Sequence, residues 1–255
     1  SHRSFRNAIK HNAGHEVMVT SPLGLVPRDL EEVWPAGHYD IPVTGDWTLD
    51  EIDRVTKMID ALLAKNQYRV IINHSGFEYN CEIPVIDTRQ GASATNHDSL
   101  QRLEKAVAEN IQSKKRSGEK INLDNFCSVS RFHHLNSEWL DGVQVRGRFP
   151  RWKILKDGEQ IAMWAPDRGG FSIAKLGVAI LDKCNSLKRI ALKENIKWKG
   201  DVNLANLESY DSTIKAGEDI LVMQGEQCVG SARASAPAWE WAGTPGRLAK
   251  MHQRL

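Results

Sequence analysis

One stretch limits the fold more than any other: residues 17–47, VMVTSPLGLVPRDLEEVWPAGHYDIPVTGDW. Val17 to Thr20 are four apolar or β-branched residues that run into the turn-forming Ser21-Pro22-Leu23-Gly24, a strand ending in a tight loop. Pro27 suits the first position of a helix, because its fixed φ is already helical and its missing N–H would be unpaired there anyway. Asp29, Glu31 and Glu32 then face the positive helix end, and Pro35 stops the helix. Strand, loop and helix start together aim free backbone N–H groups at the space beyond the strand's carboxyl end, a natural seat for an anion or small ligand. Arg28 adds a fixed charge. An ordinary connector has the same local pattern, yet His38, Tyr39, Asp40, Thr44 and Asp46 crowd a loop that also holds Pro42 and Gly45, more chemistry than a connector needs.

The flanking segments extend this into an α/β pattern. Arg3 to His11 is a short basic helical stretch with Phe5 and Ile9 on one side. Thr48 caps the next helix, Glu51 closes a capping box, and Trp47 is placed to staple on Ile52. Leu49, Ile52, Val55, Ile59, Leu62 and Leu63 keep one apolar face to about Asn66. The buried strand Arg69 to Asn73 follows and ends in His74-Ser75-Gly76. In a β-α-β order the two strands run parallel, which brings Asn73 and His74 out at the same sheet edge as Ser21 to Arg28. A short strand at Ile83 to Ile86, a polar loop from Asp87 to His97 and a helix from about Asp98 to Lys115 complete the first half. The charged run Lys114 to Lys120 marks the first domain boundary.

Beyond it the periodicity changes. Gly142 to Arg148, Trp152 to Leu155, Gln160 to Trp164 and Phe171 to Ile173 read as short strands, with Asp157-Gly158 as a hairpin turn and a helix from Ala174 to Cys184. Arg189 to Leu255 reads as short strands with glycine turns, a small all-β barrel.

Composition, 41% hydrophobic and 26% charged over 255 residues, is that of an ordinary globular chain, and no apolar run approaches the roughly 20 residues of a membrane span. These features, with an amino-terminal stretch lacking a signal-peptide apolar core, place the chain in the cytoplasm and away from membranes. Cys81, Cys127, Cys184 and Cys228 have no zinc or redox spacing, so they are expected as reduced thiols. The net charge of +2 says little, but between Lys114 and Lys156 ten basic residues stand against four acidic ones. Arg146, Arg148, Arg151, Trp152 and Lys153 concentrate this charge on one predicted hairpin, a pattern suited to phosphate and equally to a solvated strand face. His133-His134 is expected in a polar loop, since adjacent side chains diverge and no third metal ligand is suitably spaced. Trp239 and Trp241 are expected as packing residues.

The run TSPLGLVPRDLEEVWPAGHYDIPVTGDWTLDE resembles a signature of the archaeosine synthases, archaeal tRNA-modifying relatives of tRNA-guanine transglycosylase. The resemblance implies that residues 1–118 form an α/β domain with a uracil-DNA-glycosylase-like fold and a parallel sheet, placed in that family after a transglycosylase-like barrel. GVQVRGRFPRWKILKDGEQIAMWAPDRGGFSIAKLGVAIL is similar to the small α+β domain that precedes the terminal domain in archaeal transglycosylases, implying such a domain at 119–188. KGDVNLANLESYDSTIKAGEDILVMQGEQCVGSARAS resembles the PUA domain, an all-β RNA-binding pseudobarrel, implying one at 189–255; here the usual Gly-Asp-Glu is permuted to Gly217-Glu218-Asp219. In the family a catalytic motif with a Cys, a Lys-Pro-Tyr run, a Ser and a closing His lies just upstream. His2 stands where the closing His would, without the Cys, Lys and Tyr.

By resemblance, the expected function is tRNA modification in archaeosine biosynthesis, joining lysine as co-substrate to the nitrile of 7-cyano-7-deazaguanine in the tRNA D-loop. No other cofactor or metal is expected in this chain. Expected partners are tRNA, a transglycosylase-like catalytic domain in the same or a separate chain, and a radical-SAM partner protein that finishes the amidine. An amine attacking a nitrile needs a dry pocket, an acid and recognition of both partners. The candidates are His2, Arg28, His38, Asp40 and His74 for proton transfer and carboxylate binding, with Ser21, Pro22, Gly24, Asn73 and Asp46 as the ligand loop. The RNA-binding candidates are Arg146, Arg148, Arg151, Lys153, Lys199, Gly200, Asp201, Gly230 and Arg233. No nucleophile is evident. Two other readings are a non-catalytic module that docks tRNA for a transglycosylase-like barrel, and a glycosylase acting on a flipped base.

Overall fold

Val17–Thr20 forms the first strand (β1), but a second strand follows it where a loop leading into a helix at Pro27 was expected. Gly24–Pro27 (β2) turns back antiparallel, with Val17 opposite Pro27 and Thr20 opposite Gly24. Gly24 makes the reversal at φ +74°, and the Thr20 hydroxyl accepts the Leu23 N–H at 3.2 Å. Pro27 is extended, with ψ 140°, and a 3-10 turn at Arg28–Leu30 follows it. A proline needing no N–H partner serves a strand end as well as a first helical turn, and local sequence does not separate the two.

The chain, a computed structural model, is described at residues 2–9, 12–31, 33, 36–37, 47–115, 117–148, 150–167, 169–243 and 245–255, with His2 and Arg3 as backbone only. It forms two compact units, Ser1–Glu31 with Pro35–Gly118, and Glu32–Trp34 with Glu119–Leu255.

In the first unit, Leu49–Lys65 (α2) starts on the expected capping box: the Thr48 hydroxyl accepts the Glu51 N–H, and the Glu51 carboxylate accepts the Thr48 N–H at 2.8 Å. The helix lies on β2, and a side chain at Gly24 would collide with Met58. Leu49, at 84% exposure, stands outside the apolar face assigned to it, and only Val55 of α2 is buried. Ile71–Asn73 (β3) and Val85–Asp87 (β4) pair in parallel. His97–Asn110 (α3) follows, and the amino-terminal helix His2–Ala8 (α1) packs on it. The expected parallel sheet through β1 and β3 is not seen among the described residues, where β1–β2 and β3–β4 are separate two-stranded sheets. With β1 satisfied by its hairpin partner, parallel pairing is left to β3 and β4, joined by 11 residues without a helix.

The second unit opens with Gly118–His133 (α4), a helix where strand-like pieces were expected. Its interior face, Phe126, Val129 and Ser130, packs under an antiparallel meander of Gln144–Arg148 (β5), Arg151–Lys156 (β6), Glu159–Ala165 (β7) and Gly170–Ile173 (β8). Phe126 stacks on Trp164 at 5.2 Å between ring centres and meets Phe171 edge-on at 5.8 Å. Asp157 and Gly158 turn the β6–β7 hairpin at φ 52° and 83°, as expected. His134, expected in a polar loop, is buried at 8% exposure between Trp139 and Phe171. Burial holds its imidazole neutral, with a pKa down to about 3. Its neighbour Ser130 accepts the Trp139 indole N–H at 2.7 Å and donates to the Asn136 carbonyl at 2.8 Å.

Lys175–Lys183 (α5) closes the meander and packs on β7; a Cβ at Gly177 would strike the Ile161 carbonyl. Then comes a six-stranded mixed sheet, ordered Val202–Asn203 (β10), Arg247–Arg254 (β14), Gln227–Ala234 (β13), Asp219–Gln224 (β12), Arg189–Leu192 (β9) and Leu207–Tyr210 (β11). β9 runs parallel to β12, and the other pairs are antiparallel. The two edge strands, β10 and β11, are joined by residues 204–206 alone. Four Cα steps reach at most about 15 Å, whereas five strand spacings across a flat sheet need about 24 Å. The sheet therefore curls into a nearly closed barrel around Trp198, Val202, Ile214, Ile220, Val222, Trp241 and Leu248. Trp241 is fully buried, while Trp239 is 70% exposed and carries no share of that packing.

Candidate functional site

The hairpin β5–β6 presents cations in facing rows. Arg146 lies opposite Lys153, and Arg148 opposite Arg151, so all four side chains project from one face of the sheet. All are exposed, and among the described residues none meets a carboxylate within ion-pair distance; Arg146 donates only to the Gln144 amide oxygen at 3.0 Å. Like charges directly across a ladder repel, so this arrangement lowers stability unless an anion lies over it. Trp152 pairs with Gly147 and points to the opposite face, away from the cations. The same cationic row continues through Met163 and Ser172. Those two residues join Pro150, Arg151 and Asp167 in lining a cleft of about 380 Å³. Met163, Ser172 and Asp167 have no cationic signature and were not singled out from sequence; pairing register is what brings them to this face.

The barrel's candidates divide. Lys199 and Gly200 are exposed. The Asp201 carboxylate accepts the Met251 N–H at 2.8 Å. Gly230 is buried, and a Cβ there would collide with the Gln253 carbonyl and the Trp198 ring. Arg233 lies opposite Asp219 and donates to its carboxylate through Nε at 3.0 Å and Nη2 at 2.6 Å.

In the first unit, the side chain of His2 and the whole of His38, Asp40 and Asp46 lie outside the described residues. Ser21 donates its hydroxyl to Glu51, and its carbonyl accepts from Arg54 at 2.6 Å; these bonds and Gly24 seat the hairpin on α2. The Ser21 hydroxyl lowers the Glu51 carboxyl most of all, followed by the Thr48 N–H and hydroxyl and last by the charge of Arg54. Pro22 is half-buried in the same turn. Arg28 is ion-paired with Glu16. Asn73 ties the loop after β3, its amide donating to the Phe77 carbonyl at 2.8 Å and its oxygen accepting the Ser75 N–H at 3.0 Å.

His74 has both ring nitrogens engaged: Nε2–H donates to the Ala94 carbonyl at 2.7 Å, and Nδ1 meets the Thr88 hydroxyl at 2.7 Å. Since a carbonyl can only accept, Nε2 carries a proton, while the one Thr88 hydroxyl proton faces both Nδ1 and the Asn73 carbonyl at 3.0 Å. Burial lowers the pKa of His74, and the nearby Arg89 and Arg102 add to the shift. Arg89 and Arg102 escaped sequence reasoning because their partners are backbone carbonyls, which leave no mark in residue identity.

A family described as a domain of unknown function, DUF5591, matches residues 1–107. Archaeosine synthase subunit alpha of Methanosarcina acetivorans is 28% identical over 242 residues, covering 87% of this chain and 38% of that protein. The protein of the same name from Thermoplasma acidophilum is 29% identical over 230 residues, covering 88% of this chain and 44% of its own length. The chain is a relative of the archaeosine synthases. It spans less than half of the length of these archaeosine synthases, 38% and 44%. The crystal structure of AF0587, a protein of unknown function, shares the fold, with a TM-score of 0.74 at 19% identity over 100% of this chain and 87% of that one. Among the described residues no helix is long and apolar enough to cross a membrane.

Proposed function

We propose that this chain supplies tRNA-docking and α/β parts of an archaeosine synthase that joins lysine to the nitrile of 7-cyano-7-deazaguanine in the tRNA D-loop. The observation that carries the RNA-binding half of this reading is the pair of facing cation rows on β5 and β6, which has no ion-pair partner among the described residues and matches a phosphate backbone. The curled sheet of β9–β14, whose sequence resembles a PUA domain, serves as a second RNA-contacting module. A transglycosylase-like barrel brings the catalytic motif that has no counterpart here, and a radical-SAM partner completes the amidine.

A second reading, docking without catalysis, is favoured by the engagement of Arg28 with Glu16 and of both His74 nitrogens within this chain. Incubating the purified chain with lysine and tRNA bearing 7-cyano-7-deazaguanine, alone and with a transglycosylase-like barrel, separates the two. Nucleoside mass spectrometry of the digested tRNA detects the lysine adduct. Adduct from the chain alone excludes docking without catalysis, adduct only with the barrel excludes a chain that is catalytic by itself, and no tRNA retention on filters at low salt sinks both readings.

A further inference from the structure

We propose that the carboxyl edge of the parallel pair β3–β4 is an oxyanion site in which Arg89 and Arg102 hold a carboxylate or a phosphate. Arg89 follows β4, and Arg102 lies on α3. Arg89 donates through Nε to the Ala92 carbonyl and through Nη1 to the Ser75 carbonyl, each at 2.8 Å. Arg102 donates through Nε to the Thr88 carbonyl at 2.9 Å, and through Nη2 to the Arg89 carbonyl at 2.8 Å and the Ser99 hydroxyl at 3.2 Å. A guanidinium has five N–H donors, so Nη2 of Arg89 and Nη1 of Arg102 keep theirs. The Arg102 guanidinium lies against the backbone of Arg89, and the charges of both arginines reach His74.

Both side chains are half-buried, and neither has a carboxylate partner among the described residues, in contrast to Arg6, Arg28, Arg189 and Arg233. The nearest acid in sequence, Asp87, is committed to the backbone N–H groups of Arg89 at 2.9 Å and Gln90 at 3.0 Å. Two partly desolvated cations held by neutral carbonyls and the Ser99 hydroxyl retain their net charge, and their free donors suit an oxyanion. Gly76 clears the path, because a Cβ there would collide with the Arg89 guanidinium. The location, outside the carboxyl ends of parallel strands, is where open α/β sheets receive ligands. Burial is the main cause of the depressed pKa of His74, and the charges of Arg89 and Arg102 add to it against the opposing charge of Asp87.

The site stands on this chain's own geometry; its reading as the seat of the lysine carboxylate rests on the function proposed above. The full chain is titrated with inorganic phosphate, with L-lysine and with butylamine, which lacks the carboxylate, while the His74 imidazole is followed by 15N NMR. Saturable shifts with lysine or phosphate and none with butylamine are expected, and Arg89→Gln should weaken the effective ligand about tenfold or more. Lys57→Gln, on the exposed surface of α2, should leave it unchanged. Lysine alone marks an amino-acid subsite; phosphate displaced by tRNA marks a backbone contact, which retains the oxyanion site and removes the lysine reading. A His74 signal indifferent to both anions, or saturation undiminished in a folded Arg89→Gln, overturns the proposal. Should that variant not fold, the wild-type titration decides alone, with Arg89→Lys, which keeps charge and loses the fork, expected to bind more weakly.

Discussion

Arg146 on β5 and Lys153 on β6 sit directly across the ladder from one another, cation against cation. Such a pair costs roughly 0.2–1 kcal/mol in the free protein and is useful only when a polyanion lies over it.

Neutralising the pair should therefore separate stability from binding. The double variant Arg146→Gln, Lys153→Gln is expected to be as stable as the parent or slightly more so in urea. Its tRNA affinity should fall, with the slope of log K against log salt shallower by about 1.4–1.8, the release expected for two lost phosphate contacts. An unchanged slope in filter binding would remove this face from the RNA interface.

Arg233 should behave in the opposite way. Its side chain is 24% exposed and Asp219 is 10% exposed, so Arg233→Ala removes both guanidinium hydrogen bonds from a largely buried carboxylate. A loss of about 1–3 kcal/mol is expected, read from the denaturation midpoint, with tRNA affinity at low salt preserved in the folded fraction.

His134 gives the chain a pH dependence with a fixed sign. Its folded pKa, about 3, lies below the ordinary value near 6.5. The unfolded state then binds the extra proton first, so this contribution to stability is whole above about pH 6.5 and is lost as pH falls toward 3. The loss is as steep as about 1.4 kcal/mol per pH unit. His74 shifts in the same direction. Urea midpoints between pH 7.5 and 5 should fall, and His134→Phe should flatten the fall.

Gly177→Ala offers a test of close packing. In an exposed helix the change would help by about 1 kcal/mol. Here the added carbon meets the Ile161 carbonyl, so a net loss of about 1–3 kcal/mol is expected, seen as a lower melting temperature.

The parts of this fold that were legible from sequence are those whose cause is local. Alternation along β5 to β8 and the Asp157-Gly158 turn are written in adjacent residues, and so is the Thr48–Glu51 capping box. The cation rows were legible for the same reason, since a period of two puts Arg146 and Arg148 on one face. α4 was hidden because INLDNFCSVSRFHH mixes Asn, Ser and β-branched residues that favour no single period, and its helix is held by Trp164 and Phe171 from distant strands. Pro27 was ambiguous until its partner Val17 was known. Arg89 and Arg102 could not be seen as a pair at all, because what joins them is a peptide carbonyl.

Asn203 and Asn206 close residues 204–206 reciprocally, each side-chain oxygen accepting the other's backbone N–H, at 3.0 and 3.2 Å. This short span works as a clasp: it keeps the rims of the curled sheet together without a seam of hydrogen bonds. Most surface loops absorb added glycines and serines at little expense. Here the same insertion would let the rims drift apart and offer two unsatisfied strand borders to other molecules, so this three-residue loop guards the chain against self-association.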